Sequence, residues 1–508
     1  MSIALSELSS AIPALERRGS GDPLIEGIAY DSRAARPGFL FFALPGLHTD
    51  GRLFIPKAIA AGAGVIVHSE KLPEYDPAVV YLRVEDPRFT MSPVAATFHG
   101  HPSRGLAVVG VTGTEGKSTT VYLIHQLLRL AGFHAGFFST VMSDTGMGEE
   151  PNPEHQTTPE APSVQRMLAS MRDASMAFAV LESSSHGLSA RTNRLGDVDF
   201  DVAVMMNVTR EHLEFHGDWE HYRSDKANLF RAIGRGGAAK IIGGREIPRF
   251  GVVNADDPSA DYFRAATDFP LRSFSASGAA DLSATDVSVD ADGETFLILE
   301  GATRHHARIE LPGAFNVGNT LAAILAASGI AGVHIGDLIP FLPLLRPVRG
   351  RMTAIDRGQP FEVIVDYAHT PSSFQTVFPP LRERVKGRMI CVFGSGGERD
   401  VEKRPRQGRI AADWFDVVIL SDEDPRGEDP MALLEEIAAG CPELPRGERL
   451  LLIPDRHEAI RKAFSLATSG DLVALLGKGH ENSIIYAKGA LPYDEIGEAE
   501  TALAELGY

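Results

Sequence analysis

Gly110-Val111-Thr112-Gly113-Thr114-Glu115-Gly116-Lys117-Ser118 is the stretch on which the fold turns. It satisfies the pattern G-x-x-x-x-G-K-[ST], with an apolar run at 106–111 before it and a helical pattern at 119–130 after it. Strand, loop and helix in that order make a phosphate loop. Its glycines let backbone N–H groups approach phosphate oxygens, and the helix N-terminus adds positive potential. Lys117 can reach the outer phosphates and Ser118 can ligate Mg²⁺. An ordinary Gly-rich turn between strand and helix is the plain alternative, and both flanks count against it.

Moving outward, the apolar run 177–181 ends in Glu182 and Ser183-Ser184-Ser185-His186. A carboxylate there lies at the carboxyl end of a strand, where open α/β sheets bind ligands, so Glu182 is a candidate metal ligand or else a turn acid. A further run, 202–206, leads into Asn207 and the stretch Arg210-Glu211-His212-Leu213-Glu214-Phe215-His216-Gly217. Two histidines four apart among acids suit metal binding or a solvated helix face equally. From 105 to 345 such runs alternate with helical stretches (163–171, 222–233), the signature of a mostly parallel sheet covered by helices.

Upstream, strands at 25–30, 39–44 and 64–68 and a helix at 52–61 form a small α/β unit, joined onward through His101-Pro102-Ser103-Arg104-Gly105. Downstream of a Leu/Pro-rich join at 338–347, runs at 362–366, 389–393, 417–420 and 472–476 repeat the alternation as a doubly wound sheet. The expected fold class is α/β in three domains: a small N-terminal α/β domain (1–104), a central P-loop ATPase-like parallel-sheet domain (105–345) and a C-terminal Rossmann-like domain (346–508).

A chain of 508 residues, 44% apolar and 23% charged, has the balance of a soluble globular protein with several cores. A formal net charge of −18 argues against a nucleic-acid or anionic-membrane surface, so any phosphate site must be local. Cys391 and Cys441 are too few for a disulfide framework and suit a reducing cytosol. The opening MSIALSELSSAIPALERR reads as a short amphipathic helix rather than an export signal, and no 18 apolar residues run together. A cytoplasmic protein is expected.

Taken together these segments resemble the Mur ligase family, the cytoplasmic amide ligases of cell-wall precursor synthesis. The resemblance is carried by Asp31-Ser32-Arg33, Gly46-Leu47-His48-Thr49-Asp50-Gly51, the phosphate loop, Thr157-Thr158-Pro159, Glu182 to Leu188, and REHLEFHG with Tyr222 and Lys226. It continues through Gly350-Arg351-Met352, VDYAHTP at 365–371, FGSGGERD at 393–400, Lys403-Arg404-Pro405, Glu423-Asp424-Pro425-Arg426 and GKGHE at 477–481. It implies an ATP-dependent ligase that adds a third amino acid to UDP-N-acetylmuramoyl-L-alanyl-D-glutamate in peptidoglycan synthesis; a monomer is expected, and the net charge sets aside a nucleic-acid or membrane partner.

By the same resemblance, the UDP-sugar peptide falls on Ser32, Leu47, His48, Thr49, Thr157, Thr158, Ser184 and an arginine. Two residues are inserted after His186, and counting back from Phe200-Asp201 selects Arg194 over Arg191. ATP falls on Gly113, Thr114, Glu115, Gly116, Lys117, Ser118 and Thr119, with Asn316 near adenine, Asp366 near ribose and Arg351 near the phosphates. Ser118, Glu182 and His212 are implied to hold magnesium. Lys226 matches a lysine carried as a CO₂-derived carbamate on the metal side, which needs a neutral amine, whereas the plain reading is a helix-surface lysine. Lys117, Glu182, His212 and Lys226 are thus the implied catalytic set.

The implied reaction forms an acyl phosphate and then an amide. Arg399, Asp424, Arg426, Gly477 and Glu481 are implied to receive the amino acid. Arg426 suits the distal carboxylate of meso-diaminopimelate, while Asp424, where diaminopimelate enzymes of the family have asparagine, tilts the expectation to lysine or ornithine. Glu423 and Asp424 could instead merely cap the following turn, which would make them silent on specificity. Glu115, where the family loop has asparagine, puts an extra negative charge beside the nucleotide. The competing readings are folylpolyglutamate synthetase, a phosphate-loop NTPase switch and a catalytically dead binding protein. The DSR, DG and GKGHE segments speak against the first.

Overall fold

The computed structural model describes residues 2–46, 50–152, 156–209, 213–290, 293–311 and 313–508. The chain divides into two compact units: Met1–Ser283 with Glu300–Ala302 and Thr320–Leu338, and Ala284–Leu299 with Thr303–Asn319 and Ile339–Tyr508. The larger sheets are three, of five, eleven and six strands, the five-stranded one in the first unit and the six-stranded one in the second, and the protein is α/β in three domains.

The N-terminal sheet runs in the order Glu16–Arg18, Val80–Arg83, Val65–His68, Phe39–Phe42 and Gly27–Ala29, with the last four strands parallel. The short amphipathic helix expected at the start is a 3₁₀ helix, Leu5–Ala11, that buries Leu5, Leu8 and Ala11. Pro13 ends it: the residue before a proline is driven out of the helical region, and Ile12 is extended at φ −114° and ψ 95°.

The central sheet places Ala107–Thr112 between Phe178–Glu182 and Val202–Met205, flanked by Ala135–Phe138 on one side and by Phe250–Asn254 and Leu271–Ser275 on the other. These six of the sheet's eleven strands are all parallel. Their residues are almost wholly buried, as strands covered by helices on both faces require, which is why they read as unbroken apolar runs. The carboxyl ends of three adjacent strands therefore deliver the phosphate loop, Glu182 and Asn207 to one edge.

In the second unit Thr353–Ala354 pairs antiparallel with Glu362–Asp366, followed by the parallel strands Leu472–Leu476, Met389–Phe393, Val417–Leu420 and Leu450–Leu452. Alternation along Met389–Phe393 sends Met389, Cys391 and Phe393 into one core and Ile390 and Val392 into the other. Cys391 and Cys441 are both buried and free. Among the described residues no single helix is long and apolar enough to cross a membrane.

Candidate functional site

The phosphate loop leaves its strand at Thr112 and enters the helix Lys117–Leu130. Gly116 supplies the turn at φ +83°, a left-handed conformation that glycine takes without a Cβ clash. Gly110 acts differently from a phosphate-approach glycine. It lies inside the strand, and a Cβ there would stand 2.5 Å from Leu229 Cδ1 and 2.7 Å from Phe200 Cε1. Its requirement is helix-to-sheet packing.

Asn207 clamps the loop from the next strand: its Oδ1 accepts the N–H groups of Thr114 (3.1 Å) and Glu115 (2.8 Å), and its Nδ2 donates to Glu115 O (3.2 Å). This holds the backbone of Glu115 whatever its side chain does. Lys117 Nζ donates to Thr114 O at 2.7 Å.

Ser118 Oγ donates to Glu182 Oε2 at 2.8 Å, and both residues are buried. Glu182 is therefore directed at the phosphate loop and is not a turn cap. Thr140 fixes its rotation, through its N–H to Oε2 at 2.8 Å and its Oγ1 to Oε1 at 3.0 Å. Lys226 is 2% exposed, which rules out the helix-surface reading. Its Nζ donates to Gly113 O at 2.6 Å and lies 4.5 Å from the centre of the Tyr222 ring, whose hydroxyl pairs with Thr114 Oγ1 at 3.1 Å.

His212 lies outside the described residues, as do Leu47, His48 and Thr49. His216, the other histidine of that stretch, sits neither on a solvated face nor with a ring nitrogen open to metal. It is buried, with Nδ1 against Asp225 Oδ2 at 2.8 Å and Nε2 against Ser185 Oγ at 3.1 Å.

Behind this loop, Thr158 gathers several of the sequence candidates. Its Oγ1 donates to Glu182 O at 3.1 Å and accepts from Ser184 N at 3.0 Å, and Ser184 Oγ lies 3.0 Å from it. Arg194 donates to Thr158 O at 2.8 Å and to Glu160 Oε1 at 2.9 Å, where Arg88 also arrives at 3.0 Å. Arg191 instead turns to Phe215, bonding its carbonyl and stacking 4.6 Å from its ring. Ser32 is buried and Thr157 half-buried. Thr119 is a half-buried residue of the loop helix.

In the second unit, Asn316 is buried and accepts from Asn319 Nδ2 at 2.8 Å. Asp366 receives the N–H groups of Met352 and Ala368, both at 2.7 Å. Burial pushes its carboxyl up, against the pull of Arg351. Arg351 stacks over Tyr367 with 4.7 Å to the ring centre.

The amino-acid candidates of this unit lie on neighbouring loops. Gly397 N–H donates to Asp424 O at 2.8 Å, and a Cβ on Gly397 would stand 2.0 Å from Pro425 O, so the two loops touch backbone to backbone. Buried Arg404 ties them further by bonding Glu428 Oε2 at 2.8 Å, Oε1 at 2.9 Å and Gly396 O at 3.3 Å. Arg399 is exposed on the first loop. Gly477, at φ +97°, faces the Glu423 carboxylate, which is buried and raised by that burial against the pull of Lys403 and Lys478.

Asp424 is engaged on one of its two oxygens. Its Oδ1 already accepts Lys478 Nζ and Ile485 N, both at 2.9 Å. Lys478 was legible only as part of GKGHE, and Asn207 only as a strand-end residue. Thr140 and Arg404 carry no local signal of their roles, because their partners are distant in sequence.

The chain matches known proteins along most of its length. Residues 24–98 match the family model described as Mur ligase family, catalytic domain, residues 111–327 the Mur ligase middle domain, and residues 350–479 the Mur ligase, glutamate ligase domain. It is 51% identical to a UDP-N-acetylmuramyl-tripeptide synthetase of Treponema denticola, covering 97% of this chain and 96% of that one. It is 38% identical to a UDP-N-acetylmuramoyl-L-alanyl-D-glutamate–2,6-diaminopimelate ligase of Syntrophomonas wolfei, over 94% of each. A solved structure of a ligase of the latter name superposes with a TM-score of 0.62 at 30% identity, covering 95% of this chain and 96% of that one.

Proposed function

The chain belongs to the Mur ligase family and is an ATP-dependent ligase; from that premise we propose that it joins a diamino acid (L-lysine, L-ornithine or meso-diaminopimelate) to UDP-N-acetylmuramoyl-L-alanyl-D-glutamate. The product is the tripeptide precursor of peptidoglycan, made in the cytoplasm. The observation that carries this reading is the meeting of a buried hydroxyl, carboxylate and amine, those of Ser118, Glu182 and Lys226, at one phosphate loop.

In the proposed reaction the glutamyl carboxylate attacks the γ-phosphorus of ATP, ADP leaves, and an acyl phosphate forms. The amine of the incoming amino acid then adds to the acyl carbon, and the tetrahedral intermediate expels phosphate. Carboxylate and polyphosphate repel, so the loop N–H groups and Lys117 serve by offsetting negative charge as it gathers.

The Ser118–Glu182 pair fits magnesium. Its two oxygens are 2.8 Å apart, close to the roughly 2.9 Å between adjacent ligands of an octahedral ion bound at about 2.0–2.1 Å. Bound there, the ion would neutralise phosphate charge. Lys226 fits a carbamate, since a carbamylated nitrogen keeps one N–H for Gly113 O. Thr158, Ser184 and Arg194 are assigned to the UDP-sugar peptide, and Arg399, Asp424, Arg426, Gly477 and Glu481 to the amino acid.

The test is to incubate the protein with UDP-N-acetylmuramoyl-dipeptide, Mg²⁺-ATP and each of the three amino acids, measuring phosphate and nucleotide-linked tripeptide. Tripeptide formed in step with phosphate is expected. Phosphate released regardless of amino acid, with no tripeptide, would return the chain to the NTPase class.

A further inference from the structure

Lys478 is a buried cation, 0% exposed, that the reaction above does not use. Its Nζ donates to Asp424 Oδ1 at 2.9 Å and to Glu481 Oε2 at 2.5 Å, so one ammonium joins two carboxylates assigned to the amino-acid pocket. Without a shared cation two carboxylates drawn to one point would repel each other. Burial opposes the Lys478 charge, but Glu481 and Asp424 outweigh it and its pKa is raised, so the amine stays protonated at neutral pH.

The remaining oxygens are less committed. Glu481 Oε1 accepts the Tyr367 hydroxyl at 3.3 Å, and Asp424 Oδ2 lies 4.0 Å from an Arg426 guanidinium nitrogen. Arg426 itself is held at φ +55°, a left-handed conformation rare for a side chain of its size, and its buried Nε has no hydrogen-bond partner. Two cations thus face two carboxylates, and Arg426 is the charge least engaged by the protein.

We infer that Lys478 is a positioning residue that sets substrate choice: by joining and neutralising Asp424 and Glu481 it limits recognition of a distal ammonium and favours, relative to a pocket without it, a distal carboxylate on Arg426. This rests on the proposed ligase reading. Lys478 spends its hydrogen bonds on the two acids and acts through them. A pocket stripped of its charge would offer two unbalanced carboxylates and select the simple cationic side chains of lysine and ornithine. A pocket stripped of Asp424 would lean the other way.

The experiment measures kcat/KM for L-lysine, L-ornithine and meso-diaminopimelate in the complete reaction, for the wild-type chain, Lys478→Met, Lys478→Arg, Asp424→Asn and the double variant Lys478→Met/Asp424→Asn. Lys478→Met is expected to raise the ratio of lysine or ornithine to diaminopimelate by about tenfold, chiefly through KM for the amino acid. Asp424→Asn is expected to lower it by a similar factor. The double variant should return towards the wild-type ratio, and Lys478→Arg should keep it, with KM for ATP unchanged throughout.

A fall in kcat shared equally by all three amino acids, with the ratio unmoved, would reduce Lys478 to a structural role. Removing one partner of a buried pair can unfold a protein, whereas removing both is tolerated better. If Lys478→Met does not fold, the double variant compared with Asp424→Asn decides: identical ratios overturn the inference. A wild-type chain that makes no tripeptide overturns the ligase reading itself, and tripeptide with an unmoved ratio overturns this inference alone.

Discussion

Lys226 shows how much one side chain's surroundings decide. A lysine in the helix Trp219–Arg231 is by default a solvated cation, yet this one is buried against the Tyr222 ring with its Nζ on a carbonyl of the phosphate loop. Carbamate formation needs that amine neutral. Lys226→Ala is expected to lower kcat for tripeptide formation by at least about 100-fold, the scale of losing a positioned electrostatic group, and added bicarbonate should not restore it. A variant of full activity would remove the carbamate assignment. Glu182 is the complementary case. Its place at the end of a strand was readable, but its contact with Ser118 and its support by Thr140 join segments 64 and 42 residues apart.

At the scale of elements, the phosphate loop works because three parallel strands end together: one carries the loop, one carries Glu182, and the third leads to Asn207, which clamps Thr114 and Glu115. The strand preceding the loop is also where the motif misleads. Gly110 is pressed between the side chains of Leu229 and Phe200, so Gly110→Ala overpacks the helix-to-sheet contact. We expect it to destabilise the protein by about 1–3 kcal/mol, measured by denaturant unfolding, with KM for ATP in the surviving folded enzyme close to wild type. A large rise in KM with unchanged stability would make Gly110 a phosphate contact after all. The apolar helix Phe315–Ala331 makes a similar point: it is apolar on nearly all sides because it is buried on nearly all sides.

For the molecule as a whole, stability depends on pH through groups no motif marks. Glu294 is fully buried, and burial pushes its carboxyl from 4.5 up to about 7. The folded chain therefore holds this proton where the unfolded chain has lost it. The contribution is full below about pH 4.5 and is lost as pH rises through about 7. Glu294→Gln should raise the thermal midpoint by several degrees at pH 8 and change it little at pH 4.5; an equal shift at both would mean that ionisation is not the cause. The sequence by itself determined the α/β class, the central parallel sheet and the phosphate loop, because apolar periodicity and a contiguous loop are properties of neighbours along the chain. It also assembled the candidate residues through their ordered segments. Only the tertiary structure decided that Glu182 meets Ser118, that Lys226 is buried, that Gly110 is there for packing, and that Asp424 already has Lys478 as its cation. Each of those depends on which distant side chain fills the space beside a residue, and burial, pairing and charge compensation are set there.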